Sequence, residues 1–279
     1  MSISASRIAA FLVIPLFASV AFGQQESGDS FVNWLNRADE IRSEQPQWLS
    51  PVATSSARLG EELHYDVDWL TSSSGITEEN YGSNKGLEFI PFQSVEVLLS
   101  PPPYVVHNTP GVVNGFGDFS FRVKYRLISR NEEHGDRLLT PFLSTSIPTG
   151  SYTNGAQAAV LTPTIAYGQG VGHLDAQGTL GLSLPTSHAD TIGRTLGWNN
   201  VLQYQAFKIV WPEIEVNSSF FEGGKDAGLK QTFITPGLLL GRIHLVNRLR
   251  LTCGGGFQIA TTHFHSTNHN GIFTIRFPF

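Results

Sequence analysis

Cysteine and methionine are almost missing: Cys253 stands alone, and the one methionine is the initiator. A single thiol cannot form an internal disulfide, so no cross-linked scaffold holds this chain together. Charge is sparse too, at 15% of residues, and the formal net charge is −5. That balance lacks the basic surface that a nucleic-acid partner requires. After residue 23 no apolar run approaches the ~20 residues of a membrane-spanning helix. Insertion into a membrane would therefore need strands closed into a barrel, the other arrangement that satisfies a backbone in lipid. What the chain does have is glycine, 28 residues, and aromatics, 11%. Such a composition suits many strands and turns and little helix.

The first residues read as a signal peptide. Arg7 supplies a positive charge, and an apolar run over 8–22 is broken only by Pro15 and Ser19. Ala21 and Gly23 then place small residues before Gln24, as a cleavage site needs. Residues 1–23 are thus expected to be removed on export. Residues 24–58 are polar, with Phe31, Trp34, Leu35, Ala38 and Ile41 at helical spacing and Asp29 or Ser30 placed as a cap. They are expected to form an extension with a short amphipathic helix, on the periplasmic side, folded into a lumen, or loosely ordered.

From residue 59 the pattern changes to a period of two, the signature of strands. Over 62–69, Leu63, Tyr65, Val67 and Trp69 share one face and Glu62, His64, Asp66 and Asp68 the other. Over 118–127, Phe119, Phe121, Val123, Tyr125 and Leu127 oppose Asp118, Ser120, Arg122, Lys124 and Arg126. Over 173–184, Leu174, Ala176, Leu180, Leu182 and Leu184 oppose His173, Asp175, Gln177, Thr179 and Ser183. A soluble sandwich alternates as well. The runs are long, however, near the ~9–11 residues that cross a bilayer at a tilt. Aromatics such as Trp69, Tyr104, Tyr125, Tyr167, Trp198 and Trp211 fall where interfacial girdles would lie.

The expectation is an all-β protein, a transmembrane antiparallel up-and-down β-barrel of about 12 strands over residues 59–279. Tight turns are expected at 91–93, 169–170, 207–208 and 241–242. Long polar loops are expected near 72–85, 100–116, 148–156, 185–196, 221–229 and 255–268. The connection at 129–136 is longer than a tight turn and fits neither class. The last strand places Phe273, Ile275, Phe277 and Phe279 on one face. A terminal aromatic of this kind resembles the signal read by the outer-membrane barrel-assembly machinery.

Certain landmarks carry a family resemblance. Gly115-Phe116-Gly117-Asp118 leads into a strand, and Ile147-Pro148-Thr149-Gly150 closes the next one. Pro212-Glu213-Ile214-Glu215-Val216-Asn217 and Thr235-Pro236-Gly237-Leu238 follow in the same order. Together they resemble the outer-membrane transporter-like family labelled "MetA-pathway of phenol degradation". The resemblance implies uptake of small hydrophobic or aromatic compounds and fixes no catalytic residue.

In a barrel the polar faces point inward. Glu62, His64, Asp66, Asp68, Arg122, Lys124, Arg126, Asp175 and Arg276 are therefore the expected lumen-lining residues. The acidic stripe on the first strand and the basic stripe on the fourth would either face each other across an open pore, setting up a transverse field, or pair and fill the lumen. His263, His265 and His269 gather in the last loop without a carboxylate or Cys beside them, and read as solvated rather than as metal ligands. His265–Ser266 and Ser187–His188 lack the glycine pattern of a nucleophile elbow, so no catalytic residue and no cofactor are expected. The function expected is passive transport of small solutes across the bacterial outer membrane, with outer-membrane lipid as surroundings. A closed structural or adhesive barrel, and an outer-membrane lipid hydrolase, are the alternatives.

Overall fold

The computed structural model describes residues 31–83 and 85–279. The expected signal peptide and the caps at Asp29 or Ser30 lie outside the described residues. Helix α1 (Phe31–Ser43) forms where the helical spacing places it. Residues through Arg37 belong to one compact unit, and Ala38–Phe279 form a second, whose contacts are followed below.

The strands run β1 (Glu62–Ser72), β2 (Thr77–Tyr81), β3 (Leu87–Phe92), β4 (Val95–Ser100), β5 (Tyr104–His107), β6 (Gly115–Phe116), β7 (Phe119–Tyr125) and β8 (Ile128–Arg130). They continue as β9 (Arg137–Ile147), β10 (Val160–Val171), β11 (Leu174–Pro185) and β12 (Thr195–Tyr204). The last four are β13 (Val210–Phe221), β14 (Lys230–Val246), β15 (Leu249–Ala260) and β16 (Thr267–Pro278). Every pairing is antiparallel, and β16 pairs with β1 from Glu62↔Pro278 to Ser72↔Thr267, which closes the ring. Several short strands are pieces of one stave: β2 with β3, β4 with β5, and β6 with β7 and β8. The result is a closed barrel of 12 staves.

Three neighbouring staves are broken for local reasons. Pro101-Pro102-Pro103 separates β4 from β5, because proline has no N–H to give a ladder. Gly86 lies so close to Leu99 that an added Cβ would sit 2.0 Å from its carbonyl oxygen. Main-chain bonds nevertheless bridge the breaks: Gly82 N–H donates to Asp66 (2.8 Å), His64 to Gly86 (2.9 Å) and Gly117 to Pro103 (2.7 Å). The expected loops at 72–85 and 100–116 consequently shrink to 73–76 and 108–114, and the rest is wall.

Two landmarks of the family resemblance meet in space. The Asp118 carboxylate accepts the N–H groups of Gly150 (2.8 Å) and Ala156 (2.7 Å), and Thr149 Oγ1 accepts that of Phe119 (2.8 Å). The loop-to-strand junction thus clasps the loop that follows β9.

Burial is reversed relative to a soluble protein. Leu63, Tyr65, Trp69, Ile165, Leu180, Trp198, Leu202, Ile214 and Phe273 are exposed, whereas His64, Asp66, Lys124, Asp175, Gln177, Glu215 and Arg276 are buried. An apolar outer belt around a polar interior is what a bilayer-spanning barrel presents. Trp211 departs from the expectation. Its position on β13 turns it inward, 4% exposed, against Leu49, Val52, Leu239 and Ile272.

Candidate functional site: the lumen and its plug

Residues 45–61 carry no regular secondary structure, yet most of them are buried inside the ring. They form a compact loop whose two arms are tied at the base. Gln45 Nε2 donates to Leu59 O (2.6 Å), and Leu59 N–H donates back to Gln45 Oε1 (3.0 Å). The Arg58 guanidinium donates to the carbonyls of Pro46 (2.7 Å) and Trp48 (2.8 Å). Burial lowers the Arg58 pKa to about 10, which still leaves it charged at neutral pH.

A buried backbone without a ladder needs partners for its N–H and C=O groups, and the barrel wall supplies them. Glu215 accepts the N–H groups of Ala53 and Thr54, each at 2.7 Å, and Glu213 accepts that of Val52 at 2.9 Å. Arg276 donates to the carbonyls of Ser50 and Pro51, Lys124 to Arg58, Gln177 to Leu49 and Thr140 to Ala57. Apolar seats complete the fit. Trp48 packs with Leu138, Phe142 and Ala166, and Ile41 with Leu59 and Ile90.

Four inward-facing glycines make room for this plug. A Cβ on Gly168 would lie 2.5 Å from the Trp48 ring, on Gly170 2.7 Å from its indole nitrogen, on Gly241 2.5 Å from Leu49, and on Gly256 3.4 Å from Val52. Two of them explain misplaced turns. The expected turns at 169–170 and 241–242 lie inside strands, and the chain actually reverses at Gly172–His173 and Asn247–Arg248. The odd connection at 129–136 also serves the N-terminal segment. Ser129 Oγ donates to Glu44 O, Asn131 to Ser43 O, and Glu132 accepts the N–H of Gln47.

Of the nine expected lumen residues, His64, Asp66, Lys124, Arg126, Asp175 and Arg276 are buried, and Glu62, Asp68 and Arg122 are partly buried. The acidic and basic stripes do not oppose each other across a pore: β7 is separated from β1 by only β3 and β4, so both stripes lie within four adjacent staves, one third of the ring. Glu88 and Glu96, unrecognised in the sequence, stand between them. Lys124 pairs with Glu96 at 2.9 Å and Arg126 with Glu44 at 2.9 Å. His64 Nε2 lies 2.8 Å from Asp66 and 3.1 Å from Arg276 Nε, and its Nδ1 lies 3.9 Å from Glu62 and 3.8 Å from Glu88. Asp68 accepts from Ser83 and Asn270, and Asp175 from Gln177. Arg122 is the exception. Its Nε donates to Ser144 Oγ (2.9 Å) and its guanidinium lies over the Phe142 ring (4.8 Å); Glu88 and Glu96 act on it electrostatically, but it makes no direct ion pair among the described residues.

Two of the loop histidines have partners of their own. His265 engages Thr262 O and Asn268 Oδ1, His269 stacks on Phe257, and Ser266 Oγ turns to Gln231.

One carboxyl at the plug's base is raised above its ordinary range. Asp136, in the turn before β9, is pushed up to about 6 by burial and by Glu132, against the opposing hydrogen bond from Trp48. A raised carboxyl gives stability that is fully present below its unfolded value and is lost as pH rises through the folded one. The thermal midpoint of the folded protein should therefore fall between about pH 4 and pH 6. Asp136→Asn keeps an acceptor for Trp48 and suits the positive φ of 48°. It should flatten that slope, and an unchanged slope in this variant would rule Asp136 out as its source.

A closed antiparallel ring with an apolar exterior, a polar interior and an inserted loop defines a plugged transmembrane β-barrel. Among solved structures it is similar to an outer membrane channel from Pseudomonas putida F1: TM-score 0.56, 14% identity, 83% of this chain and 100% of that one. It is also similar to the NanC porin, with TM-score 0.51 and 11% identity over 77% of this chain and 98% of that one. At such identities the likeness is one of fold. No family model and no curated protein matches the chain, so the phenol-degradation label is without support from a family model.

Proposed function

We propose that the protein is a channel of the bacterial outer membrane through which small solutes pass without energy input, closed at its turn end by residues 45–59. The observation that carries this reading is a polar lumen stopped by a loop the wall holds through hydrogen bonds and small apolar seats. The fold likeness to an outer membrane channel supports it. Both chain ends of the barrel and its short turns then face the periplasm, the loops at 108–114 and 148–159 face outward, and the apolar belt meets lipid. Residues 1–23 act as the export signal, and the strand ending at Phe279 is the element the barrel-assembly machinery reads. The small hydrophobic or aromatic solutes implied by the family resemblance are one candidate cargo class.

A second reading, a permanently closed structural barrel, is favoured by how completely the plug's backbone is satisfied. Osmotic swelling of proteoliposomes separates the two. A variant with residues 46–57 replaced by a glycine–serine linker should admit a small neutral sugar at rates well above protein-free liposomes. Rates equal to protein-free liposomes, from a barrel shown to be folded, would leave only the closed barrel.

A further inference from the structure

On the loop side of the plug the lumen opens into a cavity of about 320 Å³, at the small end of small-molecule sites. Its floor is Ser55, at the tip of the plug. The walls carry hydroxyl and amide groups, among them Ser144, Thr164, Thr179 and Asn199. Phe142 is the one apolar side chain larger than a hydrogen among the described lining residues, and its ring is already covered by Arg122. Arg122 is also the one charge there, and no carboxylate lines the space.

These features select a ligand class. The Arg122 side chain is fixed by Ser144 and Phe142, and its two Nη groups find no hydrogen-bond partner among the described residues. A guanidinium held this way presents a planar fork suited to a carboxylate. Lys124 and Arg126, next in the same stripe, are already paired. Wall hydroxyls both donate and accept, so they can exchange hydrogen bonds with the hydroxyls of a solute. An aromatic or aliphatic solute would meet a wall of polar groups whose hydrogen bonds to water it could not replace.

We propose that this cavity is a binding site for small polyhydroxylated monocarboxylates, with sugar acids as the type, and that Arg122 recognises the carboxylate. The proposal rests on the channel reading for the solute's onward path, while its chemistry comes from the cavity alone. It replaces the aromatic cargo implied by the family resemblance with a hydrophilic anionic one.

The test uses the full mature chain refolded in detergent, with D-glucuronate, D-glucose and benzoate as probes and calorimetry as the binding readout. Glucuronate should bind about tenfold or more tightly than either of the others, since it alone offers both charge and hydroxyls. Arg122→Gln should remove that advantage, and Arg122→Lys should restore only part of it because the fork is lost. If Arg122→Gln fails to fold, Ser144→Ala, which frees the guanidinium, should weaken glucuronate binding in the same direction. Equal affinity for glucuronate and glucose, tighter binding of benzoate, or indifference to both substitutions would overturn the site. Glucuronate flux into liposomes bearing the linker variant is scored separately. Binding without flux would strike the channel reading and leave the site standing; flux without Arg122-dependent binding would do the reverse.

Discussion

Replacing residues 46–57 with a glycine–serine linker of equal length should raise single-channel conductance on the order of tenfold or more, turning rare brief openings into steady ones. The wild-type lumen holds Trp48, Leu49 and Val52 in apolar seats, with Thr54 hydrogen bonded to Asn217 of β13. A flexible linker fills none of those seats and leaves Glu213, Glu215 and Arg276 to water. Removal of residues 24–37 alone should leave conductance unchanged, because the described contacts that hold the plug in the wall are made by residues from Ile41 onward. The two variants separate a plug at 45–59 from one at residues 24–37. Steady openings after removal of residues 24–37 alone would move the obstruction to those residues. Equal silence from both would favour the permanently closed barrel.

The wall was legible because lipid outside and polar groups inside impose a strict period of two. Glu62, His64, Asp66 and Asp68 turn inward where the alternation places them, and strand β9 spans the expected 137–147. A one-residue slip of β7 would have put Arg122, Lys124 and Arg126 into lipid, at ~2–4 kcal/mol each near the midplane. The plug was not legible for the opposite reason. Residues 45–59 follow no period, contain Pro46 and Pro51, and find their partners one at a time on distant strands. Its trace was present in the wall, where Gly168, Gly170, Gly241 and Gly256 fall in the inward phase and Trp211 stands where a polar residue was due. Two of those glycines were read as turn punctuation. A glycine that keeps the strand phase marks a close approach instead. The charge stripes show a second limit. Alternation says which face a residue takes, but their meeting along one wall, through Glu88 and Glu96, depends on which staves are neighbours.

Glu215→Ala is expected to release the plug more effectively than any other single substitution of a wall side chain. Glu215 is fully buried and its two oxygens accept the N–H groups of Ala53 and Thr54 at 2.7 Å. Each is a charge-assisted bond, and its loss leaves a buried donor unpaired at a cost of about 1–3 kcal/mol. Two at once destabilise the docked loop by roughly 2–6 kcal/mol, enough to shift a docked-to-free equilibrium by more than tenfold. Glu215→Gln retains one acceptor oxygen and should fall between wild type and alanine. Trypsin reports the outcome directly. Arg58 is held against Pro46 and Trp48 in the docked loop, so cleavage after it requires the loop to leave the lumen. Faster cleavage at Arg58, with the folded barrel intact, should run parallel to a rise in conductance. Cleavage at the wild-type rate in Glu215→Ala would mean that the apolar seats of Trp48, Leu49 and Val52 hold the plug by themselves. The carboxylates would then serve only to satisfy its backbone, and the latch would lie in the glycine-lined packing of the wall.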